Sequence, residues 1–298
     1  MTAPRVIGID VGGTKILAGV LDSDGTVHAR HEVATPTGSQ DELVDGLAEA
    51  VRSLPHDGVA AVGFGIPSRV DQRTGVALGA VNIPLSDLPF RDAMRERVGL
   101  PVAVDNDANV AALAEWRLGA GRGVDDLLML TLGTGVGGGL ILDGTPYRGW
   151  AELGHVVVVA GGPPCQGTCT GHGHLEAVAS GNAADREAHR LWGPDAHAEQ
   201  LVERGKAGDP NARGALAGIG RLLGAAIGSF VNIFGPDLVV IGGGFGIGAG
   251  DLVLGPALEA ARLETLPPSG ETLRIVEAQL GEEAGLVGAG LLALELLG

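Results

Sequence analysis

Five side chains that commonly ligate metal ions lie within 20 residues near the middle of the chain: His155, Cys165, Cys169, His172 and His174. A zinc site needs four nitrogen or sulfur ligands in a tetrahedron, so one of the five is surplus. The spacing C-x3-C-x4-H is looser than a paired C-x2-C, and the alternative is a coincidental cluster of His and Cys. With four protein ligands no position remains for water, so a metal here would be structural.

Two glycine-threonine turns are suited to bind phosphate: DVGGTK at residues 10–15 and LGTGVGG at residues 132–138. Glycine lets backbone N–H groups point at phosphate oxygens, and threonine hydroxyls add donors. Asp10 would hold Mg²⁺, because a cation that bridges phosphates needs an oxygen anion. The alternative is that both are ordinary hairpin turns. A third glycine run, residues 242–246, follows an apolar strand, at whose carboxyl end a crevice would take a nucleotide.

The common nucleotide-binding motifs do not explain these turns. The chain has no G-x-x-x-x-G-K-[ST], because its sole Gly-Lys pair, Gly205-Lys206, is followed by alanine. Gly133, Gly135 and Gly138 match G-x-G-x-x-G, but that fingerprint requires a helix to follow, and GGGLILDG predicts a short strand and a turn. A Walker loop is excluded, and the dinucleotide match is interpreted as accidental.

Carboxylates and amides also cluster between a predicted strand and a predicted helix, in the run DNDAN at residues 105–109. α/β proteins place catalytic side chains at this position. A carboxylate there can orient a hydroxyl that attacks a γ-phosphoryl group and accept its proton. The alternative is helix capping, for which Asp and Asn are common, but capping requires only one of these residues.

Hydrophobic periodicity predicts the elements that position these motifs. Residues 6–33 predict three antiparallel strands, and strands alternate with helices after them, beginning with a helix whose N-cap is Asp41. Residues 127–144 repeat the strand, glycine turn and strand of the opening, which indicates an internal duplication. We therefore expect an α/β protein with domains at 1–119 and 120–298, a metal-binding lobe at 152–176, and a buried C-terminal helix at about 285–298 that packs back on the first domain.

Composition excludes several classes of partner. The 298 residues include 36 acidic and 20 basic ones, a formal charge of -16 that would repel nucleic acid and offers no polybasic face for a membrane. No signal peptide opens the chain, and the apolar stretches are interrupted by Gly, Asp or Glu. The expected location is the cytoplasm, where the two cysteines serve as thiols or thiolate ligands rather than a disulfide.

In order and across the whole chain, DVGGTK, NDAN, LGTGVGGG and E-x-G-H with its Cys-rich loop and L-E resemble the ROK family of repressors and sugar kinases. The likeness is greatest to bacterial ATP-dependent glucokinases. The resemblance implies a duplicated actin/hexokinase-like (ribonuclease H-like) α/β fold with a cleft between its lobes. It further implies transfer of phosphate from ATP to a hexose, with Mg²⁺ and a structural Zn²⁺, in a dimer or tetramer.

The resemblance also implies roles for individual residues. Asp107 would be the base on the 6-hydroxyl of the sugar, with Asn106 beside it holding the sugar. The other sugar-binding residues would be Asn82, Glu152, His155 and Glu176. The phosphates would be held by Asp10, Gly12, Gly13, Thr14, Lys15, Gly133, Thr134 and Gly135, and the adenosine would lie near Gly242, Gly243 and Gly244.

At the metal site the sequence departs from the family pattern of one His and three Cys. His155, Cys165 and Cys169 match the pattern, but His174 stands where the third Cys is expected, with His172 as the competing fourth ligand. Other functions stay open: a kinase for an N-acetylhexosamine or mannose, polyphosphate as phosphoryl donor, or a sugar-sensing regulator. Family regulators carry a helix-turn-helix ahead of the kinase-like body, whereas this sequence starts at the first strand.

Overall fold

The computed structural model describes residues 4–298. Its strands are β1 (Arg5–Val11), β2 (Lys15–Leu21), β3 (Val27–Ala34), β4 (Val59–Ile66), β5 (Val70–Asp71), β6 (Val76–Ala77), β7 (Val102–Asn106), β8 (Leu127–Leu132), β9 (Val136–Leu142), β10 (Thr145–Pro146), β11 (Leu238–Gly242) and β12 (Ile275–Glu277). Its helices are α1 (Gln40–Arg52), α2 (Phe90–Val98), α3 (Asp107–Leu118), α4 (Leu175–Val178), α5 (Gly181–Trp192), α6 (Ala198–Lys206), α7 (Pro210–Phe234), α8 (Gly244–Ala249), α9 (Asp251–Glu264), α10 (Ser269–Thr272) and α11 (Ala284–Leu294). Single 3₁₀ turns lie at Leu153–His155 and Gly281–Glu283.

The first sheet has the strand order β3-β2-β1-β4-β7. β1 to β3 are antiparallel, as the sequence predicted, and β4 and β7 continue the sheet in parallel with β1. Side chains alternate along β1: Ile7 and Ile9 join the core formed with α1 and α2, whereas Val6 and Gly8 face α11. The two faces of this sheet are therefore covered by different helices.

The start of α1 differs from the prediction. Ser39 is the N-cap, not Asp41, because the Ser39 hydroxyl accepts a hydrogen bond from the N–H of Glu42 at 3.2 Å. Asp41 lies in the first turn of the helix, where its negative charge is favoured by the helix dipole. Two residues suited to an N-cap, two positions apart, are not distinguished by local sequence alone.

Helix α11 lies directly on the backbone of the first sheet. A Cβ at Gly8 would collide with the carbonyl of Leu286, and a Cβ at Gly63 would collide with that of Ala289. On another side of α11, Gly288 lies against Val110 of α3. Because glycine leaves no side chain between the elements, α11 packs closely on β1, β4 and α3.

The second sheet repeats the first. Its order is β10-β9-β8-β11-β12, with β8 and β9 antiparallel and β11 and β12 added in parallel with β8. The strand order therefore corresponds one to one with that of β3-β2-β1-β4-β7, and so do the directions of β8, β9, β11 and β12. The predicted internal duplication is confirmed.

The longest helix, α7, packs along α9 in the second core. Gly220, Gly224 and Gly228 recur every four residues and face Val253, Ala257 and Ala261 across that contact. By length and apolar composition α7 meets the criteria for a helix that could cross a membrane, although Gly and Arg residues interrupt its apolar run. Since 56% of its most apolar 18-residue stretch is buried inside the protein, α7 is equally typical of the core helix of a globular protein.

The chain forms two compact units. The first consists of the described residues up to Arg122 together with Pro146–Trp150 and Glu282–Gly298. The second consists of Gly123–Thr145 and Ala151–Gly281. The predicted domains, 1–119 and 120–298 with a returning C-terminal helix, did not anticipate that residues 146–150 belong with the first unit, and the functional division into domains stays a prediction.

Candidate functional site

In the first unit, the DNDAN run joins β7 to α3, and Asn106 is the residue that caps the helix. Its Oδ1 accepts hydrogen bonds from the N–H groups of Ala108 at 2.9 Å and Asn109 at 3.4 Å, while its Nδ2 donates to the carbonyl of Ser68 at 3.3 Å. Asp107 is the first residue of α3 and its side chain is half-buried. Asn106 is therefore the cap, while Asp107 Oδ1 also accepts a hydrogen bond from the N–H of Ala108 at 2.9 Å.

Asp105 lies behind this loop and is only 3% exposed. Its Oδ1 accepts hydrogen bonds from the backbone N–H of Asn106 at 2.7 Å and from Asn109 Nδ2 at 2.9 Å, and its Oδ2 pairs with Arg148 Nη1 at 3.1 Å. Burial raises the pKa of Asp105, while the hydrogen bonds of Asn109 and Asn106 and the charge of Arg148 oppose that rise. The loop that carries Asp107 is thus held from inside by a buried carboxylate.

The turn between β1 and β2 is closed by backbone and side-chain hydrogen bonds. Gly12 N–H donates to the Lys15 carbonyl at 2.9 Å. The buried Thr35 donates its hydroxyl to the Gly12 carbonyl at 2.8 Å and its N–H to the Thr14 carbonyl at 3.0 Å. These bonds fix the turn, and Gly13 and Thr14 lie at its partly exposed tip.

Three predicted site residues lie at the ends of this turn or beside it. Asn82 lies against Gly13, where an added methyl group would be 3.2 Å from Asn82 Cβ. The ammonium of Lys15 is 3.5 Å from Glu32 and 3.4 Å from Glu282, in an exposed position. Burial raises the pKa of Asp10 to about 6, an effect that the nearby Lys15 charge partly opposes. A cation beside Asp10 would offset the cost of ionising it.

In the second unit, the turn of residues 133–135 is held by the start of α5. Gly181 N–H donates to the Gly133 carbonyl at 2.7 Å, and Asn182 N–H approaches the Thr134 carbonyl at 3.4 Å. The turn leads into strand β9, not into a helix, which confirms that the G-x-G-x-x-G match is accidental.

The third glycine run lies beside that turn. Gly243 has φ 83°, and a Cβ there would collide with the backbone of Leu132, the residue that precedes Gly133. Gly242 ends β11 and Gly244 begins α8. Within this unit, the structure therefore brings together the two glycine segments predicted to hold phosphate and adenosine.

Four of the five metal-ligating side chains converge. The ligand atoms of His155, Cys165, Cys169 and His174 all lie within 4.8 Å of one another. His155 Nδ1 is 3.3 Å from His174 Nδ1, and each histidine Nδ1 is 3.6 Å from one cysteine sulfur. Zinc bonds of about 2.05 Å to nitrogen and 2.3 Å to sulfur imply tetrahedral separations of roughly 3.3 Å and 3.5 Å for such pairs, so the donor set fits zinc. His172, by contrast, is exposed, and its backbone pairs with Pro164.

The predicted sugar-binding residues of this unit border the cluster. His155 Nε2, the nitrogen that faces away from the other ligand atoms, is 4.0 Å from Glu152 Oε2. Glu176 Oε2 accepts a hydrogen bond from Val136 N–H at 3.0 Å, and its Oε1 is 3.8 Å from Cys165 Sγ. Asn82, Asn106 and Asp107 belong to the first unit, and Glu152, His155 and Glu176 to the second. The roles of all six stay predictions.

Two residues near these groups were missed from the sequence. Arg148 binds Asp105 across 43 residues of chain. Gln166 donates to the Glu176 carbonyl at 3.2 Å and to the Ser180 hydroxyl at 3.1 Å, which links the lobe to the N-cap of α5. Neither residue lies in a recognisable motif, although the position of Gln166 between Cys165 and Cys169 was a signal that this loop is structured.

Known proteins resemble the chain over nearly its whole length. The ROK family model matches residues 6–296. A glucokinase from Streptomyces coelicolor is 36% identical over 313 residues, 97% of each chain. An N-acetyl-D-glucosamine kinase from Escherichia coli O9:H4 is 33% identical over 314 residues, 96% of this chain and 98% of the relative.

Solved structures are similar to the same extent. A ROK hexokinase from Thermus thermophilus matches with a TM-score of 0.87 and 38% identity, over 98% of this chain and 99% of that one. A ROK family glucokinase from Streptomyces griseus, in complex with glucose and AMPPNP, has a TM-score of 0.84, 37% identity and the same coverage. A ROK family transcriptional regulator, a homologue of the E. coli MLC protein, has a TM-score of 0.88 and 26% identity over 98% of this chain and 78% of that one.

Proposed function

The chain belongs to the ROK family, and from this premise we propose that it transfers the γ-phosphoryl group of ATP to the 6-hydroxyl of a hexose, with D-glucose as the preferred acceptor. The observation that carries the proposal is the loop before α3, where Asn106 caps the helix and the carboxylate of Asp107 follows it as the first residue of α3. The similarity to a glucokinase solved with glucose and AMPPNP supports the choice of sugar and donor.

The proposed mechanism assigns proton transfer to Asp107. Its carboxylate would orient the 6-hydroxyl and accept its proton as the oxygen attacks the γ-phosphorus, with ADP leaving on the opposite side. Asn106 and Asn82, with Glu152, His155 and Glu176, would bind sugar hydroxyls. Backbone N–H groups of residues 12–14 and 133–135 would donate to phosphate oxygens.

Asp10 is the residue that would hold Mg²⁺, directly or through water. Its carboxylate is the oxygen anion that the ion prefers, and its raised pKa is the sign of a buried acid that lacks sufficient positive charge nearby. When bound, Mg²⁺ neutralises negative charge on the phosphates. The run of residues 242–244 would lie near the adenosine.

A second acceptor class has its own support, because an N-acetyl-D-glucosamine kinase is 33% identical, nearly as similar as the glucokinase. A panel of D-glucose, D-mannose, N-acetylglucosamine and N-acetylmannosamine, each with MgATP and with polyphosphate, distinguishes these functions. We expect the highest kcat/KM for glucose with ATP. A higher kcat/KM for an N-acetylhexosamine would reassign the substrate, and sugar binding without turnover would indicate a sensor.

We further propose that His155, Cys165, Cys169 and His174 bind a structural Zn²⁺. The support is the fit of their separations to a tetrahedron, since the four ligand atoms lie within 4.8 Å of one another. Zinc on His155 Nδ1 would fix the tautomer and direction of the ring, so that Nε2 could face a sugar hydroxyl. Cytoplasmic location and assembly as a dimer or tetramer, which the family favours, stay predictions.

Zinc removal should therefore weaken sugar binding as well as stability. His174→Ala is expected to lower bound zinc from about one ion per chain, reduce the melting temperature and raise the glucose Kd roughly tenfold. The matched control is His172→Ala, which removes an exposed histidine of the same loop and should leave all three values near wild type. Elemental analysis, thermal unfolding and calorimetric titration measure them.

Two outcomes would contradict the zinc proposal. Loss of zinc in His172→Ala but not in His174→Ala would show that His172, not His174, is the fourth ligand. Normal glucose affinity in a folded, metal-stripped sample would show that the metal does not orient His155.

A further inference from the structure

The segment Pro146–Trp150 forms a strap on the first unit, although its first residue ends strand β10 of the second sheet. It is anchored at two points. Arg148 binds Asp105 and Glu295, and the ring of Trp150 lies 5.1 Å from the guanidinium carbon of Arg69. Arg69 is next to Ser68, whose carbonyl accepts the side-chain hydrogen bond of Asn106. Both anchors therefore lie beside the loop that carries Asp107.

Asp105 is the point at which the strap acts on that loop. With its side chain 4% exposed, the carboxylate has little access to water and needs a cation and hydrogen-bond donors to remain ionised. Arg148 supplies the cation at 3.1 Å from Oδ2, which leaves Oδ1 to accept from Asn106 N–H at 2.7 Å and Asn109 Nδ2 at 2.9 Å. The bond to Asn106 holds the backbone immediately before Asp107.

We propose that Arg148 is a positioning residue for phosphoryl transfer: through Asp105 it fixes the backbone at Asn106 and so the direction of the Asp107 carboxylate. The inference rests on the proposed function, in which Asp107 is the base. General-base catalysis depends on the distance between the carboxylate and the attacking hydroxyl, and a displacement of about 1 Å can cost 10²-fold in rate. Arg148 itself touches neither substrate in this assignment.

Arg148→Ala is expected to lower kcat roughly 10- to 100-fold, with KM for ATP near the wild-type value, because the change acts on the base and not on the turn of residues 10–15. Arg148→Lys keeps the positive charge but loses the two-pronged geometry, so its kcat should be intermediate. Glu295→Gln is the matched control, since it changes the other partner of Arg148 and leaves the pair with Asp105 in place. Its kcat should stay near wild type.

A second substitution, at Asp105, distinguishes a positioning role of Arg148 from general damage to the fold. In Arg148→Ala the buried Asp105 loses its cation, whereas adding Asp105→Asn removes the charge and keeps an oxygen for the N–H of Asn106. The double variant should therefore have a kcat at least about fivefold above Arg148→Ala, because a neutral amide still holds the loop. If Arg148→Ala does not fold, the kcat of Arg148→Lys, which keeps the positive charge, is compared with that of the wild type instead.

The outcomes separate this inference from the proposed function. Wild-type protein without kinase activity on any sugar would overturn the proposed function. In an active enzyme, wild-type kcat in Arg148→Ala, or a loss that Asp105→Asn does not relieve, would overturn the role of Arg148. A kcat loss with unchanged KM for ATP, relieved in the double variant, supports it.

Discussion

Asp107→Asn is expected to lower the kcat of hexose phosphorylation by about 10²- to 10⁴-fold, because an amide cannot accept the proton of the 6-hydroxyl. The glucose Kd should change little. Asn keeps an oxygen in place of Oδ1, which accepts the N–H of Ala108 at 2.9 Å, so the start of α3 should retain its geometry. A coupled assay gives kcat, and calorimetric titration gives the Kd. Asp107→Ala should lose turnover to the same extent.

Asp45→Asn is the control for this experiment. It makes the same chemical change at an exposed residue of α1 in the first unit, where Asp45 pairs with Arg97 at 2.9 Å. Its kcat should remain at the wild-type level. Turnover retained in Asp107→Asn would remove Asp107 from the role of base, whereas loss of glucose binding in parallel with turnover would assign it to substrate binding.

Asp10→Asn is expected to stabilise the free protein while lowering its activity. An acid whose pKa rises from 3.8 to about 6 on folding binds its proton more tightly in the folded state. By linkage, stability is highest below about pH 4, falls as the pH rises from about 4 to 6, and is then lower by about 1–3 kcal/mol. The substitution removes this penalty, so the gain in the free energy of unfolding should appear at pH 8 and vanish at pH 4.

The expected loss of activity in Asp10→Asn has the same physical origin as its gain in stability, the removal of a buried negative charge. The ionised carboxylate is costly in the free protein and is what would attract Mg²⁺, so Asp10→Asn should lower kcat with MgATP by roughly 10²- to 10³-fold. Mg²⁺ with a non-hydrolysable nucleotide should stabilise the wild type more than the variant at pH 8. Urea unfolding at the two pH values, with and without this ligand, measures the effect.

Asp22→Asn provides a control of opposite sign. The hydrogen bond from His28 lowers the pKa of Asp22. The ionised form of Asp22 therefore stabilises the folded protein at every pH above the ordinary pKa of an aspartate. This substitution should give no gain in stability at pH 8. If Asp10→Asn likewise gave no gain at pH 8, the ionised Asp10 would not be the source of the cost.

Features that depend on local chemistry could be predicted from the sequence alone. Hydrophobic alternation and glycine turns predicted the opening meander, and the repeat of that pattern at residues 127–144 predicted the duplication seen in the two sheets. The requirement for a helix after G-x-G-x-x-G rejected the dinucleotide fold correctly. The predicted ROK family and its actin and hexokinase-like fold are confirmed as well. Each of these signals is carried by short motifs, although the duplication and the family resemblance compare such motifs along the whole chain.

Contacts between groups that are far apart in the chain could be found only from the folded structure. It grouped His174, not His172, with His155, Cys165 and Cys169, and it brought Arg148 to Asp105. These contacts depend on how segments that are distant in the sequence come together in the fold, and the local hydrophobic pattern carries no information about that. A buried carboxylate must find its cation, but the sequence contains 20 basic residues, and only the folded backbone brings one of them within reach of Asp105.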